Sequence, residues 1–324
     1  MVRRTTRRWA AAGLGLVGVL GGGSIQPSSL DAAAGPIMIG PATASQRAIR
    51  ETPTIPSGDN VVWALGDIAE CDGRANDDAV GRFLQGTVGP ILLLGDIAYQ
   101  SGSPAELQNC FDPAWGPLRP RWRPVPGNHE YGTPNAAGYY AYFGAAAADP
   151  TQGYYSYEVA GWHIIALNSN CGPVGGCNAG SPQEQWLRAD LAAHPTACTL
   201  AYWHHPRFSS GAHRSNTAYT DLWQALYDAD ADVVLAGHDH NYERFAPQTP
   251  AGVFDFERGL REFVVGTGGA SLRVIGAAAP NSQVNDHTTF GPLALTLEAG
   301  SYRWQFVRVA GSCTLDDRGT GTCH

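Results

Sequence analysis

Hydrophobic positions in this chain come in short bursts that end near a glycine or proline and run straight into polar residues. VVWALGD at 61–67, PILLLGDIAY at 90–99, RPVPGNHE at 123–130, TLAYWHHP at 199–206 and ADVVLAGHDH at 231–240 all have this form. Apolar runs of about four to six residues, rich in β-branched or large side chains, predict buried strands. Two segments between them carry a helical period instead. SPQEQWLRADLAAH (181–194) opens with Ser181 as N-cap, Pro182 in the first turn and Glu184 three residues on, the pattern of a capping box. NTAYTDLWQALYDAD (216–230) spaces Tyr219, Leu222, Trp223, Leu226 and Tyr227 along one face. After His240 the helical period fades, and FVVGTGG, LALTLEA and YRWQFVRVA read as further strands, the last two alternating. There is no internal repeat. The pattern predicts one α/β domain, a mixed sheet system flanked by helices.

The N-terminus departs from this pattern. Arg3, Arg4, Arg7 and Arg8 precede an apolar run from Trp9 to Leu20, and Ala32-Ala33-Ala34 follows as a small-residue cleavage site. Residues 1–34 therefore read as a secretory signal, and the arginine pairs also allow twin-arginine export. The run is too short to span a bilayer comfortably, and no later stretch approaches that length, so no membrane association is expected after cleavage. Residues 35–58, rich in Pro, Ser and Thr, read as an extended lead-in.

Composition excludes several chemistries. All 21 cations are arginine. Without lysine there is no P-loop and no Schiff-base nucleophile. The formal net charge is -8, and loss of residues 1–34, with four arginines and Asp31, takes it to -11. Such a chain lacks the positive footprint that nucleic-acid binding requires. The seven cysteines all lie beyond the leader, where export permits disulfides. Cys171/Cys177 and Cys313/Cys323 each flank a short Gly-rich loop and read as local clips, the second within a C-terminal tail, 311–324. Cys71 with Cys110 would be a longer closure, and Cys198, in TACTLAYW, reads as a buried free thiol. None shows paired CxxC zinc spacing, and sequence alone does not determine the pairing.

The chemistry sits at the strand ends. Asp67, Asp96, Tyr99, Asn128, His129, His204, His205, His238 and His240 are metal-ligand types delivered by five separate strands to the edge where open α/β sheets bind ligands. Any one of them has an ordinary structural explanation, but their co-occurrence points to a site. His238 and His240, two residues apart, would point the same way in extended chain, roughly 6.5–7 Å apart. That gap fits one imidazole on each of two ions about 3.5–4 Å apart. Asp96 could bridge the pair, Asn128 adds a neutral oxygen, and Gly127 would let the backbone turn tightly there.

GDIAE, GDIAY, GNHE, the WHHP strand end and GHDHNYER, in this order over about residues 60–310, resemble the calcineurin-like metallophosphoesterases. Ala69 stands where the broader superfamily has the His of Asp-x-His, and Tyr99 follows Asp96 by three, so the chain is similar to the purple acid phosphatase branch. The resemblance implies two packed mixed β-sheets flanked by helices, a metallophosphoesterase-type β-sandwich in one catalytic domain at 59–310. It implies two metal ions per chain, Fe(III) held by Asp67, Asp96, Tyr99 and His240, and a divalent Fe, Zn or Mn held by Asp96, Asn128, His204 and His238. His204 is taken over His205 because the family's motif ends His-x-Pro, here before Pro206. Adjacent strand residues also face opposite ways. His129 would contact the phosphoryl group and assist the leaving group. His213, in SSGAHRS, resembles a second family histidine at the ester oxygen.

The implied activity is secreted hydrolysis of phosphate monoesters by in-line attack of a metal-bound hydroxide, on a small phosphate-ester substrate. The alternative is a phosphodiesterase or nucleotidase using the same centre. Some relatives carry a fibronectin-like domain before the catalytic one, for which residues 35–58 are too short. Arg207 and Arg214 are candidates for phosphate contact or rim ion pairs, and Arg244 for a structural partner of Glu243 or nearby carbonyls. His163, His194 and His324 read as structural or solvated, and His287 is unassigned. A non-catalytic metal- or phosphate-binding protein would lack the bridging Asp96 or His129, and both are present. Tyr242-Glu243 after His240 exclude the metallo-β-lactamase pattern, and no G-x-S-x-G occurs.

Overall fold

A computed structural model describes residues 54–73, 76–311 and 315–324. The leader, most of the lead-in and Cys313 lie outside the described residues.

Thirteen strands form two mixed sheets. The first has the order Arg318–Thr322, Ser301–Phe306, Leu293–Glu298, Val61–Leu65, Ile91–Leu93 and Trp122–Pro124. Its last three strands run parallel, while the C-terminal ones are antiparallel. The second runs Ser282–Asp286, Tyr242–Phe245, Arg261–Val265, Val233–Ala236, Thr199–Tyr202, Trp162–Ala166 and Tyr155–Val159, with the middle four parallel. Alternation along the second sheet separates two environments. Ile164, Leu200, Tyr202, Val233, Leu235, Phe263 and Val265 join the core shared with the first sheet. Ile165, Ala201, Val234 and Val264 face the other way, onto Leu187, Leu222, Trp223 and Leu226 of two helices.

Those helices are the two the periodicity predicts. Pro182–Ala193 is capped by Ser181, whose Oγ accepts from the Glu184 N–H at 3.4 Å. Glu184 closes the turn one residue further back than a strict capping box, accepting from Gly180 N–H at 2.9 Å. Thr217–Tyr219 is a 3₁₀ turn capped by Asn216 that leads into Thr220–Asp228. The first sheet is covered by Asn76–Gln85, which buries Asp77, Val80, Gly81 and Leu84 along one face, by the mixed α, π and 3₁₀ stretch from Pro104 to Arg121, and by Ala137–Phe143. Pro113, Pro117 and Pro120 interrupt the helical pattern of the Pro104–Arg121 stretch. Among the described residues no helix follows Asp228, as the fading period predicts.

The cysteines pair differently from one of the two expected local clips. Cys71–Cys110 and Cys171–Cys177 are bonded, but Cys198 is not a free thiol: it pairs with Cys323, 125 residues on. A Cys313–Cys323 clip is therefore excluded. The cause is tertiary. Strand 318–322 pairs along 301–306 and brings Cys323 to the start of strand 199–202. No helix among the described residues is long and apolar enough to cross a membrane.

Candidate metal centre

The carboxyl ends of the parallel strands in both sheets meet at one edge. Chain leaving Leu65 reaches Asp67, chain leaving Leu93 reaches Asp96, and the ends at Tyr202 and Ala236 lead to His204 and His238. Three of these residues adopt left-handed backbone although none is glycine: Asp67 at φ 59°, Asp96 at 49° and His238 at 68°. Each costs roughly 1–2 kcal/mol, and each is held by a bond from its own N–H. Asp67 donates to Gly95 O at 3.0 Å, Asp96 to Glu130 Oε2 at 2.9 Å, and His238 to Asp67 Oδ2 at 2.8 Å. Gly127 is needed for close approach rather than for a turn: a Cβ there would stand 2.1 Å from Asp96 Oδ1.

Seven of the sequence-derived candidates converge in two sets that share Asp96. In one, the Tyr99 hydroxyl lies 2.9 Å from Asp67 Oδ1, 3.3 Å from Asp96 Oδ2 and 3.1 Å from His240 Nε2. In the other, His204 Nε2 lies 3.2 Å from Asp96 Oδ2, 3.2 Å from Asn128 Oδ1 and 3.2 Å from His238 Nδ1. The two-residue spacing of His238 and His240 does not work through extended chain. Residues 238–241 form a bend with Asp239 N–H bonded back to Gly237 O, and the bend sends the two imidazoles to different sets.

This donor chemistry suits cations. His204 Nδ1 faces the Leu94 carbonyl at 2.7 Å and His240 Nδ1 the Ser271 carbonyl at 2.8 Å. A carbonyl only accepts, so a neutral imidazole there holds its hydrogen on Nδ1 and turns the Nε2 lone pair inward. His204 Nε2 then faces the oxygens of Asp96 and Asn128, lone pair to lone pair. Bonds of about 2.0–2.2 Å at near-tetrahedral or octahedral angles put ligand atoms about 3.0–3.5 Å apart, the spacing found here. Without a cation the same charge must be met by protons. Burial pulls the His204 imidazole down, but the Asp96 carboxylate outweighs it and holds His204 up at about 9. Burial, and then Asp67, push the Tyr99 phenol well above its ordinary value. A tyrosinate there requires a cation beside it.

The surrounding residues fix this arrangement. His129, half-buried, bonds Gln100 O through Nδ1 at 2.7 Å and puts Nε2 3.8 Å from Asp96 Oδ2. His205 does not point to the opposite side from His204 as strand alternation predicts: its ring lies 4.4 Å from that of His238 and 4.8 Å from that of His204, close enough for a cation to be shared, while its N–H and Nδ1 bond Ser169 Oγ at 3.0 and 2.7 Å. Burial, with His204 next door, lowers His205 to about 3. The exposed His213 is brought in, its ring 4.1 Å from that of His238.

The three arginines considered from sequence stay out. Arg207 is buried, bonds Pro250 O and stacks on Phe208. Arg214 forms no side-chain contact with the two sets. Arg244 pairs with Asp317 at 2.9 Å, not with Glu243, because neighbours on strand 242–245 face opposite ways and Glu243 serves Ser210 and Ser282. His163 pairs with Asp190, His194 with the Asp190 carbonyl and His324 with Asp232. His287 joins neither set.

Three residues were not assigned from sequence. Glu130, fully buried, accepts N–H bonds from Asp96, Ile97 and Gly127 at 2.9, 2.8 and 2.7 Å. Its position in GNHE was the available signal. Asp239 accepts from the Ser209 hydroxyl and from His213 N–H at 2.9 Å, which docks the His213 loop. Arg273, with no sequence signal, reaches His213.

The sequence profile described as Calcineurin-like phosphoesterase matches residues 61–242, more than half of the chain and nearly all of this constellation. The chain belongs to this family. This calcineurin-like phosphoesterase is 27% identical over 264 residues to the uncharacterized protein Rv2577 of Mycobacterium tuberculosis, covering 66% of this chain and 50% of that one. It is 39% identical over 100 residues to purple acid phosphatase 21 of Arabidopsis thaliana, 29% of this chain and 22% of the plant protein. The chain thus spans about half or less of the length of these curated relatives. Among solved structures, purple acid phosphatase PPD1 from yellow lupin seeds superposes with a TM-score of 0.69 at 19% identity, over 82% of this chain and 54% of the lupin chain. GAP50, the anchor in the inner membrane complex of Plasmodium, gives 0.61 at 16% identity, over 81% and 88%. At these identities the likeness is one of fold. It supports the purple acid phosphatase-like resemblance read from the motifs and the two mixed sheets that the resemblance implies.

Proposed function

We propose that this phosphoesterase is a secreted dinuclear-metal phosphatase acting on phosphate monoesters. The observation that carries the reading is the meeting of acceptor atoms on His204, Asp96 and Asn128, with Asp96 shared by both donor sets. Asp67, Asp96, Tyr99 and His240 would hold one ion and Asp96, Asn128, His204 and His238 the other, Fe(III) and a divalent Fe, Zn or Mn by resemblance. A bound pair supplies Lewis acidity and an activated water. The protein supplies position. Asp67 and Asp96 are locked by Gly95 and Glu130, and the histidine tautomers are set by the Leu94 and Ser271 carbonyls. His129, with Nδ1 committed to Gln100 O, has Nε2 as the atom that exchanges a proton with the leaving group. Export is supported by the leader pattern and by three disulfides.

The test compares p-nitrophenyl phosphate with bis-p-nitrophenyl phosphate on metal-loaded full chain, with Asp96→Asn as control. The monoester should be the better substrate by kcat/KM, and the control should lose roughly a hundredfold or more. Preference for the diester would replace the monoester reading. A preparation with two metals per chain that cleaves neither ester would refute the catalytic one.

A further inference from the structure

Resting on that reading, the structure assigns the choice of ester to Arg273. Its segment is pinned across the site. Ser271 N–H and Oγ donate to Glu70 at 3.0 and 2.6 Å, Arg273 N–H donates to His240 O at 3.0 Å, and Gly276 N–H donates to Ser210 O at 3.1 Å. Arg273 as a residue is half-buried, and its NH1 stands 2.5 Å from His213 Nε2 in a solvent-exposed contact. No described carboxylate pairs with it. Only one imidazole separates it from His238, because the His213 and His238 rings are 4.1 Å apart. Val274 beside it is 75% exposed, so this side is open to solvent.

Arginine has no acceptor, so in this contact His213 Nε2 must supply the lone pair and cannot also donate to a substrate oxygen. The donor presented here is the guanidinium, with further N–H groups in a planar fork matched to phosphate oxygens. His213, tied to Asp239 through its own N–H at 2.9 Å, positions that fork. Arg273 clamps the terminal phosphoryl group and thereby favours a phosphate monoester over a diester. A monoester brings three terminal oxygens and up to two negative charges. A diester has two terminal oxygens and one charge, and puts a carbon substituent where the third oxygen would meet the fork.

The experiment uses the metal-loaded full chain and its Arg273→Gln and Arg273→Lys variants, with both p-nitrophenyl esters and with inorganic phosphate as the probe in calorimetry. For Arg273→Gln, kcat/KM on the monoester should fall roughly ten- to a hundredfold, mainly through KM. Diester cleavage should change by less than about threefold, and the Kd for phosphate should rise in step with the monoester loss. Arg273→Lys, which keeps charge without the fork, should recover only part of both. Equal losses on the two esters, or an unchanged phosphate Kd in the glutamine variant, would overturn the assignment. If the wild type holds two metals and cleaves neither ester, the hydrolase reading fails, while the Arg273 contact to phosphate stands or falls on the calorimetric comparison alone.

Discussion

Glu130→Gln tests whether the buried carboxylate under Asp96 is there to serve bound cations. Oε2 accepts from Asp96 and Gly127 N–H, and Oε1 from Ile97 N–H. A glutamine can keep the doubly used oxygen, but its NH₂ then faces the Ile97 N–H, donor against donor. Without metal the charged form is not favoured: burial, and then Asp96, raise Glu130 to about 7. A folded-state value above the unfolded one means that the metal-free wild type loses stability as pH rises from about 4.5 to 7, so the neutral variant costs little there. Two cations beside Asp96 reverse this by holding Glu130 ionised. Loss of such a supporting group weakens metal affinity by about 10- to 100-fold, or about 1.4–2.7 kcal/mol of metal-linked stability. Thermal unfolding of stripped and metal-loaded protein at about pH 6, below the metal-free Glu130 value of about 7, reads this directly. The rise in Tm on loading should be smaller in the variant by about 3–10 °C, and less metal should survive dialysis. An equal Tm rise in both proteins, with equal metal content, would refute the reasoning.

Two further predictions concern stability. In the chain-entropy relation for cross-links, the Cys198–Cys323 separation of 125 corresponds to about 4.9 kcal/mol and the Cys171–Cys177 separation of 6 to about 2.2 kcal/mol. Urea unfolding should therefore show Cys198→Ser/Cys323→Ser losing clearly more than Cys171→Ser/Cys177→Ser, and the reverse order would contradict the entropic account. Glu262, buried and accepting from Arg207 and Phe208 N–H at 2.9 Å each, is raised by burial to about 8. Its contribution to stability falls as pH rises from about 4.5 through 8, by at most about 1.4 kcal/mol per pH unit. The stability difference between wild type and Glu262→Gln should narrow or change sign across that range, and a difference constant with pH would count against it.

The local pattern of this chain carries its strands, two of its helices and the identity of its donor residues. An apolar run ending in Gly-Asp or Gly-Asn-His announces a strand whose polar end lies at a sheet edge, because only the buried part needs continuous apolar side chains. Ser181 announces a helix start by the same local logic, and the spacing of Tyr219, Leu222, Trp223 and Leu226 announces the other helix. The covering helix at 76–85 keeps its period, but Asp77 and Gly81 fill half of the face that Val80 and Leu84 share, so its apolar signal is weak, and at 104–121 prolines break the pattern.

What tertiary structure alone decided is which distant residues face each other. The bend at 238–241 divides His238 from His240, although spacing put them on one side of an extended strand. Cys323 finds Cys198 because an edge strand carries it back across the sheet. Arg273 reaches His213 although nothing near it in sequence marks it. Donor types are set by covalent chemistry and can be read one residue at a time. Their distances and the hydrogen-bond partners that fix each tautomer depend on segments up to about two hundred residues apart, such as Glu70 with Ser271, and only folding brings those together.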